Sequence, residues 1–312
     1  MNKSGVTIVV VHRGNQTYLR DALRCGRESG NNVVLIGDES NSKDKNWVDY
    51  REYRLEKYND FTNVYENMST NPYKFELICF ERYFLTYAYM EKSNLTECIM
   101  MDSDVCLYEK ITTNLFEGID LAISIPEQKT KFTMAASAHF SYWKKETMKE
   151  FLEFLIIAYE NRSKELYEKW EWHKNTATPG GICDMTLLYL FSCKFKGVIM
   201  NTDAVLKPLL YDQVMSDYKN HGIEFLTMKN SNTKAVFKDI NRRMCYKSIE
   251  GELYPVLYIH AQGGDKRYIL AISRKRTGAL WLGIGNLKFW LNRIYEKIMR
   301  TLGVEKRFNW KL

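Results

Sequence analysis

Two carboxylates one residue apart close an apolar run, Cys98-Ile99-Met100-Met101-Asp102-Ser103-Asp104-Val105. The run is short and bounded by polar residues, the pattern of a buried strand. Side chains alternate along a strand, so Asp102 and Asp104 leave it in the same general direction. Carboxylates held that close repel each other unless something positive lies between them. A hard divalent cation fits, because Mg²⁺-type sites combine one or two carboxylates with the phosphates of a substrate. A second apolar run, Val256-Leu257-Tyr258-Ile259-His260, leads into Ala261-Gln262-Gly263-Gly264-Asp265-Lys266. A neutral His260 imidazole completes a site with the two aspartates. The Gly263-Gly264 loop can wrap phosphate oxygens, and Lys266 meets the charge that develops on a departing diphosphate. A third stretch, Thr178-Pro179-Gly180-Gly181-Ile182-Cys183-Asp184, turns into a helix that runs on to Phe191. A helix start favours an anion, and glycines let backbone approach a ligand closely. Asp184 is therefore either a reacting carboxylate or an N-cap.

These residues need a scaffold, and the chain supplies one. Val6-Thr7-Ile8-Val9-Val10-Val11 reads as a strand buried on both faces. A helix over 17–29 and a strand at Val33-Val34-Leu35-Ile36 follow. Strand, helix and strand in that order imply parallel strands and a right-handed crossover. Ligands bind beyond the carboxyl ends of such strands. His12, Arg13, Asp38 and Glu39 all sit there, with Asp38 or Glu39 placed to meet a ribose or a base edge, or else to cap the next turn. Residues 41–72 read as loop, short helix and a short strand near Val64-Tyr65. A helix over 74–91 carries Leu77, Phe80, Phe84 and Tyr87 on one core stripe. Arg82 lies off that stripe, where it reaches a diphosphate bidentately or pairs with a local carboxylate. A strand over 120–125 comes next. The small residues of 134–141 are expected along a substrate cleft, ahead of a helix over 144–160. His139, beside aromatics, reads as a packed residue rather than a substrate contact.

Composition bounds the class. A chain of 312 residues, 45% hydrophobic and 27% charged, is sized for one large α/β domain with an appendage. Five prolines and no low-complexity tract leave little room for long disordered linkers. The seven cysteines show no paired Cys-x-x-Cys spacing, which disfavours structural zinc and suits buried thiols in a reducing cytosol. On that reading the sequons at Asn15, Asn67, Asn94 and Asn161 are accidental. No signal peptide and no membrane span are expected. Charge is uneven: from Asp265 to Leu312 there are twelve Lys/Arg against three Asp/Glu. That surplus of nine exceeds the net +7, so the first 264 residues sum to about −2. A basic face spread for nucleic acid is absent.

Three pieces in order resemble glycosyltransferases with the GT-A fold: the βαβ opening, Asp102-Ser103-Asp104 at a strand end, and His260-x-x-Gly263-x-x-Lys266. The last is similar to a pattern in the retaining family that includes glycogenin and the bacterial lipopolysaccharide galactosyltransferases. The resemblance spans roughly residues 5 to 270 and implies a Rossmann-like mixed sheet flanked by helices. It implies that Asp102, Asp104 and His260 bind Mn²⁺ or Mg²⁺ and that Lys266 contacts the diphosphate of a nucleotide-sugar donor, most simply a UDP-sugar. By their own positions His12, Arg13, Asp38, Glu39, Arg82, Asp102, Ser103 and Gly263 are the further donor-binding candidates, although His12-Arg13-Gly14 is not that family's usual opening. Asp184 is the catalytic candidate: a base for the acceptor hydroxyl if the reaction inverts, or a charge-stabilising and sugar-orienting group if it retains. The family's Asp-Gln helix start is here Asp184-Met185, and the Pro-Trp after the lysine is here Arg267-Tyr268.

Two rivals belong to other classes. Asp102 and Asp104 also suit a haloacid-dehalogenase-type phosphatase, but a βαβ unit precedes them and no Gly-Asp-x-x-x-Asp motif follows. A non-catalytic module binding nucleotide or glycan is the other. The expected organisation is a domain over 1–270 and a basic helical tail over 271–312. In the tail Leu280, Ile284, Leu287, Leu291, Ile294 and Ile298 recur at helical spacing, with Trp281, Phe289, Trp290 and several Lys/Arg between them. Such a helix either packs back on the domain or lies on an anionic membrane through residues 280–302. The implied setting is cytoplasmic, peripheral on the inner face of the membrane, with a glycan or lipid-linked acceptor.

Overall fold

The computed structural model describes residues 5–205, 207–220 and 222–277, together with Leu287, Leu291 and Ile294. In chain order its elements begin with β1 (Ile8–His12), α1 (Thr17–Glu28), β2 (Val33–Gly37), β3 (Trp47–Asp49), α2 (Glu56–Val64) and α3 (Tyr73–Lys92). Then come β4 (Glu97–Met101), β5 (Val105–Leu107), β6 (Leu121–Ser124), β7 (Ser137–Lys144), α4 (Lys145–Glu160), α5 (Lys164–Thr176) and α6 (Asp184–Lys194). The remainder is β8 (Ile199–Asn201), β9 (Leu210–Tyr211), β10 (Lys219–Asn220), β11 (Ile223–Glu224), β12 (Val236–Lys238), β13 (Met244–Lys247), β14 (Leu253–His260) and α7 (Ile269–Ile272).

The apolar runs build a seven-stranded mixed sheet in the order β3-β2-β1-β4-β7-β6-β8. β1 pairs in parallel with β2 and β4, while β7 runs antiparallel between β4 and β6. Both faces are covered, which is why β1 and β4 read as continuous apolar runs. Val9, Cys98 and Met100 face the core made with α2, α3, α4 and α6. Ile8, Val10, Ile99 and Met101 face the opposite core, which α1 and a second sheet close. The expected mixed sheet flanked by helices is therefore present.

The second sheet was not anticipated. It runs β12-β13-β14-β5, with β9 added in parallel beside β14. Its third core collects Cys106, Tyr246, Val256, Ile259, Ile269 and Ile272. Packing thus continues through α7, past residue 270. The chain leaves the first sheet at Met101 and enters the second at Val105, so Asp102-Ser103-Asp104 is the corner between them.

Two local expectations are corrected. Val64 ends α2 and no strand forms there, because Phe61 packs among Tyr58, Tyr65, Phe80 and Phe84 and keeps the segment helical. Several of the small residues of 134–141 are packed rather than set along a cleft: Ala136, Ala138 and Ser141 are buried, the last two in β7, while Ala135 and Ser137 are half-buried. Among the described residues no helix is long and apolar enough to cross a membrane. Leu287, Leu291 and Ile294 are helical and exposed. Leu280, Trp281, Ile284, Phe289, Trp290 and Ile298 lie outside the described residues.

Candidate active site

The register of the second sheet brings the site together. In the β5–β14 pair His260 stands opposite Val105, one residue beyond Asp104. The Ala261 amide donates to the Asp104 carbonyl at 3.0 Å, and the Asp102 amide donates to the His139 carbonyl at 2.7 Å. The corner is therefore tied to both sheets. One ligand atom each from Asp102, Asp104 and His260 lie within 4.8 Å of one another. Ligands about 2.0–2.1 Å from one Mg²⁺ lie at most about 4.2 Å apart, so a small inward movement of these side chains would let all three reach a single ion. His260 Nδ1 donates to the Gln213 carbonyl at 2.6 Å, which leaves Nε2 as the atom facing Asp104 Oδ1 at 3.5 Å. A histidine whose other nitrogen is fixed by a carbonyl is the usual arrangement in metal sites. Two carboxylates and an imidazole suit Mn²⁺ or Mg²⁺.

Lys266, on the turn Gly263–Tyr268, places its ammonium 3.1 Å from Asp104 Oδ2 and 5.1 Å from the centre of the Tyr18 ring. Gly263 has φ +59, with no atom near where a Cβ would stand, so it is the backbone angle that favours glycine. Burial works to raise the Asp104 pKa, but the His260 hydrogen bond and charge, with the Lys266 ammonium, outweigh it and hold the carboxyl well below the usual range. Burial works to lower the His260 pKa, and the Asp104 bond reverses that, so the imidazole is raised. His139 stacks on His260 with ring centres 4.3 Å apart and planes 4° from parallel. Burial, followed by the His260 charge, pushes its own pKa well down.

Arg82 spans the other side. Its guanidinium pairs with Asp102 through Nη1 and with Asp184 Oδ2 through Nη2 at 2.6 Å. The Tyr83 hydroxyl also donates to Asp184 Oδ2, at 3.1 Å. Among the described residues Arg82 Nε is buried without an acceptor. Asp184 is the first residue of α6 and is itself buried. The glycines before it approach the chain's own backbone. A Cβ on Gly181 would sit 2.3 Å from the Met68 carbonyl oxygen, and the Ile182 amide donates to that oxygen at 2.7 Å.

The strand-end residues of the first sheet are less closely drawn in. His12 bonds Gln16 through Nε2 and meets Tyr18 edge-on at 6.2 Å, so it joins the site through the ring beside Lys266. Burial lowers its pKa. Arg13 pairs with buried Glu81, and its guanidinium lies 4.2 Å over the Tyr50 ring. Asp38 accepts from the Ser40 amide at 3.0 Å and the Gly14 amide at 2.9 Å, closing the turns after β2 and β1. Glu39 is exposed, and Ser103 is half-buried between the aspartates. Sequence reasoning missed Tyr18, Gln213 and Asp212. Asp212 had a readable signal, since it closes Leu209-Leu210-Tyr211 as Asp102 closes its own run.

No family model matches the chain, and no curated protein matches it. Among solved structures, a glycosyltransferase involved in the glycosylation of the major capsid of PBCV-1 aligns at 13% identity and TM-score 0.41, over 87% of this chain and 99% of that one. Mouse xyloside xylosyltransferase 1, in its apo form, aligns at 13% identity and TM-score 0.43, over 62% of this chain and 83% of that one. At those values neither likeness bears on the role of any residue.

Proposed function

We propose that the chain is a metal-dependent GT-A glycosyltransferase that moves a sugar from a nucleoside-diphosphate donor, a UDP-sugar, to a glycan or lipid-linked acceptor in cell-surface polysaccharide synthesis. The observation that carries this reading is the convergence of Asp102, Asp104 and His260, with Lys266 against the same carboxylate. When bound, Mn²⁺ or Mg²⁺ supplies Lewis-acid stabilisation of the leaving diphosphate. Lys266 donates to the diphosphate oxygens as the glycosidic bond breaks, and the Gly263-Gly264 backbone lies alongside them. His12 and Arg13, with Asp38 and Glu39, form the nucleoside end of the pocket at the carboxyl ends of β1 and β2. Ser103 faces the donor between the two aspartates. Arg82, held between Asp102 and Asp184, sets its positive charge beside the donor's phosphates. Asp184 meets the acceptor: the Arg82 and Tyr83 bonds both fall on Oδ2, and the acceptor hydroxyl is assigned to Oδ1.

Titration calorimetry of UDP with and without Mn²⁺ tests the site. Tight binding only with the metal is expected, followed by turnover of a UDP-sugar. Asp104→Asn and His260→Ala are each expected to lower turnover at least about 100-fold while the chain stays folded. Full activity in both variants, or hydrolysis of a generic phosphate ester by Asp102 and Asp104 without any sugar-nucleotide binding, would overturn the assignment.

The basic tail that follows α7 is proposed to rest, through residues 280–302, on the anionic inner face of a cytoplasmic membrane. Its cationic surplus and the exposed helical Leu287, Leu291 and Ile294 support this. The full chain is expected to sediment with phosphatidylserine-containing vesicles and to be released by salt. Equal sedimentation with neutral vesicles would remove the electrostatic part of the proposal.

A further inference from the structure

His260 is held at three of its own atoms by one short segment. Its amide donates to Asp212 Oδ2 at 2.9 Å, its ring Nδ1 donates to the Gln213 carbonyl at 2.6 Å, and its carbonyl accepts from the Met215 amide at 2.9 Å. Asp212 is anchored in turn. Lys234 Nζ lies 2.6 Å from its Oδ1, and the Tyr246 hydroxyl donates to its Oδ2 at 2.9 Å. Both side chains of the Lys234–Asp212 pair are 0% exposed, and the ammonium lies 4.6 Å from the Tyr246 ring centre. The Lys234 amide also donates to the Met215 carbonyl at 2.9 Å, so the lysine grips the segment by backbone and side chain.

A fully buried ion pair is a poor source of stability, because desolvating the two charges costs as much as their attraction returns. What it does supply is a fixed acceptor at one point in space. Here that point is under the backbone of His260, whose ring Nε2 faces Asp104. We propose that Asp212, clamped by Lys234, is a positioning residue that sets His260 Nε2 for a divalent cation. This rests on the reading of Asp102, Asp104 and His260 as metal ligands. Neither Asp212 nor Lys234 touches the cation or the substrate. They act through the His260 backbone and through the Gln213 carbonyl that fixes the ring.

The test is titration of Mn²⁺ alone into wild type and variants, read beside thermal unfolding. Asp212→Leu with Lys234→Met removes both charges. It leaves the His260 amide and the Tyr246 hydroxyl without their acceptor, so it is expected to unfold at a lower midpoint than wild type and to bind Mn²⁺ about 10- to 100-fold more weakly. Asp212→Asn with Lys234→Met restores an acceptor for the His260 amide and is expected to recover most of that affinity. ¹⁵N spectra of the histidines provide a second readout, with His260 fixed as the Nδ1–H form in wild type and averaged in the Leu/Met variant. Tyr246→Phe, a milder change, is expected to shift affinity in the same direction even if the Leu/Met pair fails to fold. Wild-type Mn²⁺ affinity in the folded Leu/Met variant, or in Tyr246→Phe where that variant does not fold, would overturn the positioning role alone. Absence of Mn²⁺ binding in wild type would remove the metal-site reading and this inference together.

Discussion

Lys169 shows what a buried charge does when, among the described residues, its partners are neutral oxygens. Its ammonium donates to the Thr133 carbonyl at 2.9 Å and the Thr186 hydroxyl at 2.8 Å, tying the loop before β7 to the first turn of α6. Burial pulls its pKa down from 10.5 to about 8. Below pH 8 the proton is bound in folded and unfolded chains alike, and the cost of burying it falls on the fold. Between pH 8 and 10.5 the folded chain gives up the proton first, so the unfolded chain binds more protons and stability rises with pH. Wild type is expected to gain roughly 2 kcal/mol relative to Lys169→Met between pH 7 and pH 10, measured by urea unfolding. A difference between the two that does not change with pH would sink this account. The residues of the site were legible to different degrees for a physical reason. Asp102, Asp104 and His260 each close an apolar run, and an ionisable group where burial ends is visible in one dimension. Lys234 stands in Asn232-Thr233-Lys234-Ala235, which reads as surface. Phe225 and Tyr246 are brought over it by tertiary packing, with Asp212 beneath its ammonium.

At the scale of elements, α6 is placed by the turn before it rather than by its own sequence. Gly181 has φ +142, and its neighbour Ile182 bonds to Met68 across a bridge between Ser69 and Gly181. Any Cβ at Gly181 meets backbone, which cannot move aside as a flexible side chain would. Gly181→Ala is therefore expected to cost about 2 kcal/mol or more and to displace Asp184, lowering turnover as well as stability. Gly251→Ala is the control, with φ +98 but open space around it, and is expected to cost only about 1 kcal/mol with activity retained. Equal effects from the two, by denaturation and assay, would show that the contact with Met68 does not matter. β3, β7, β8 and α5 were not read, whereas β1, β2, β4 and β6, with α1, α3, α4 and α6, could be read along the chain because they carry sustained periodicity or continuous apolar runs. β9 through β13 could not: they are two to four residues long, too short for alternation to rise above chance. What specifies them is their partner strand, and that is non-local information.

For the molecule as a whole, the corner at Asp102-Ser103-Asp104 joins the two sheets. Two of the three candidate ligands belong to that corner, and the third arrives from the far end of the chain through the pairing of β14 with β5. The pairing converts a distant histidine into an intramolecular neighbour, raising its effective concentration at the aspartates as a chelating arm does. The relation is reciprocal. A cation held by all three residues is a crosslink between the sheets, so its binding energy also opposes the separation of β14 from β5. With the proposed cation in place, its occupancy would gauge how well the two sheets are seated on each other, and a change that loosens the second sheet would be expected to weaken the grip on the ion.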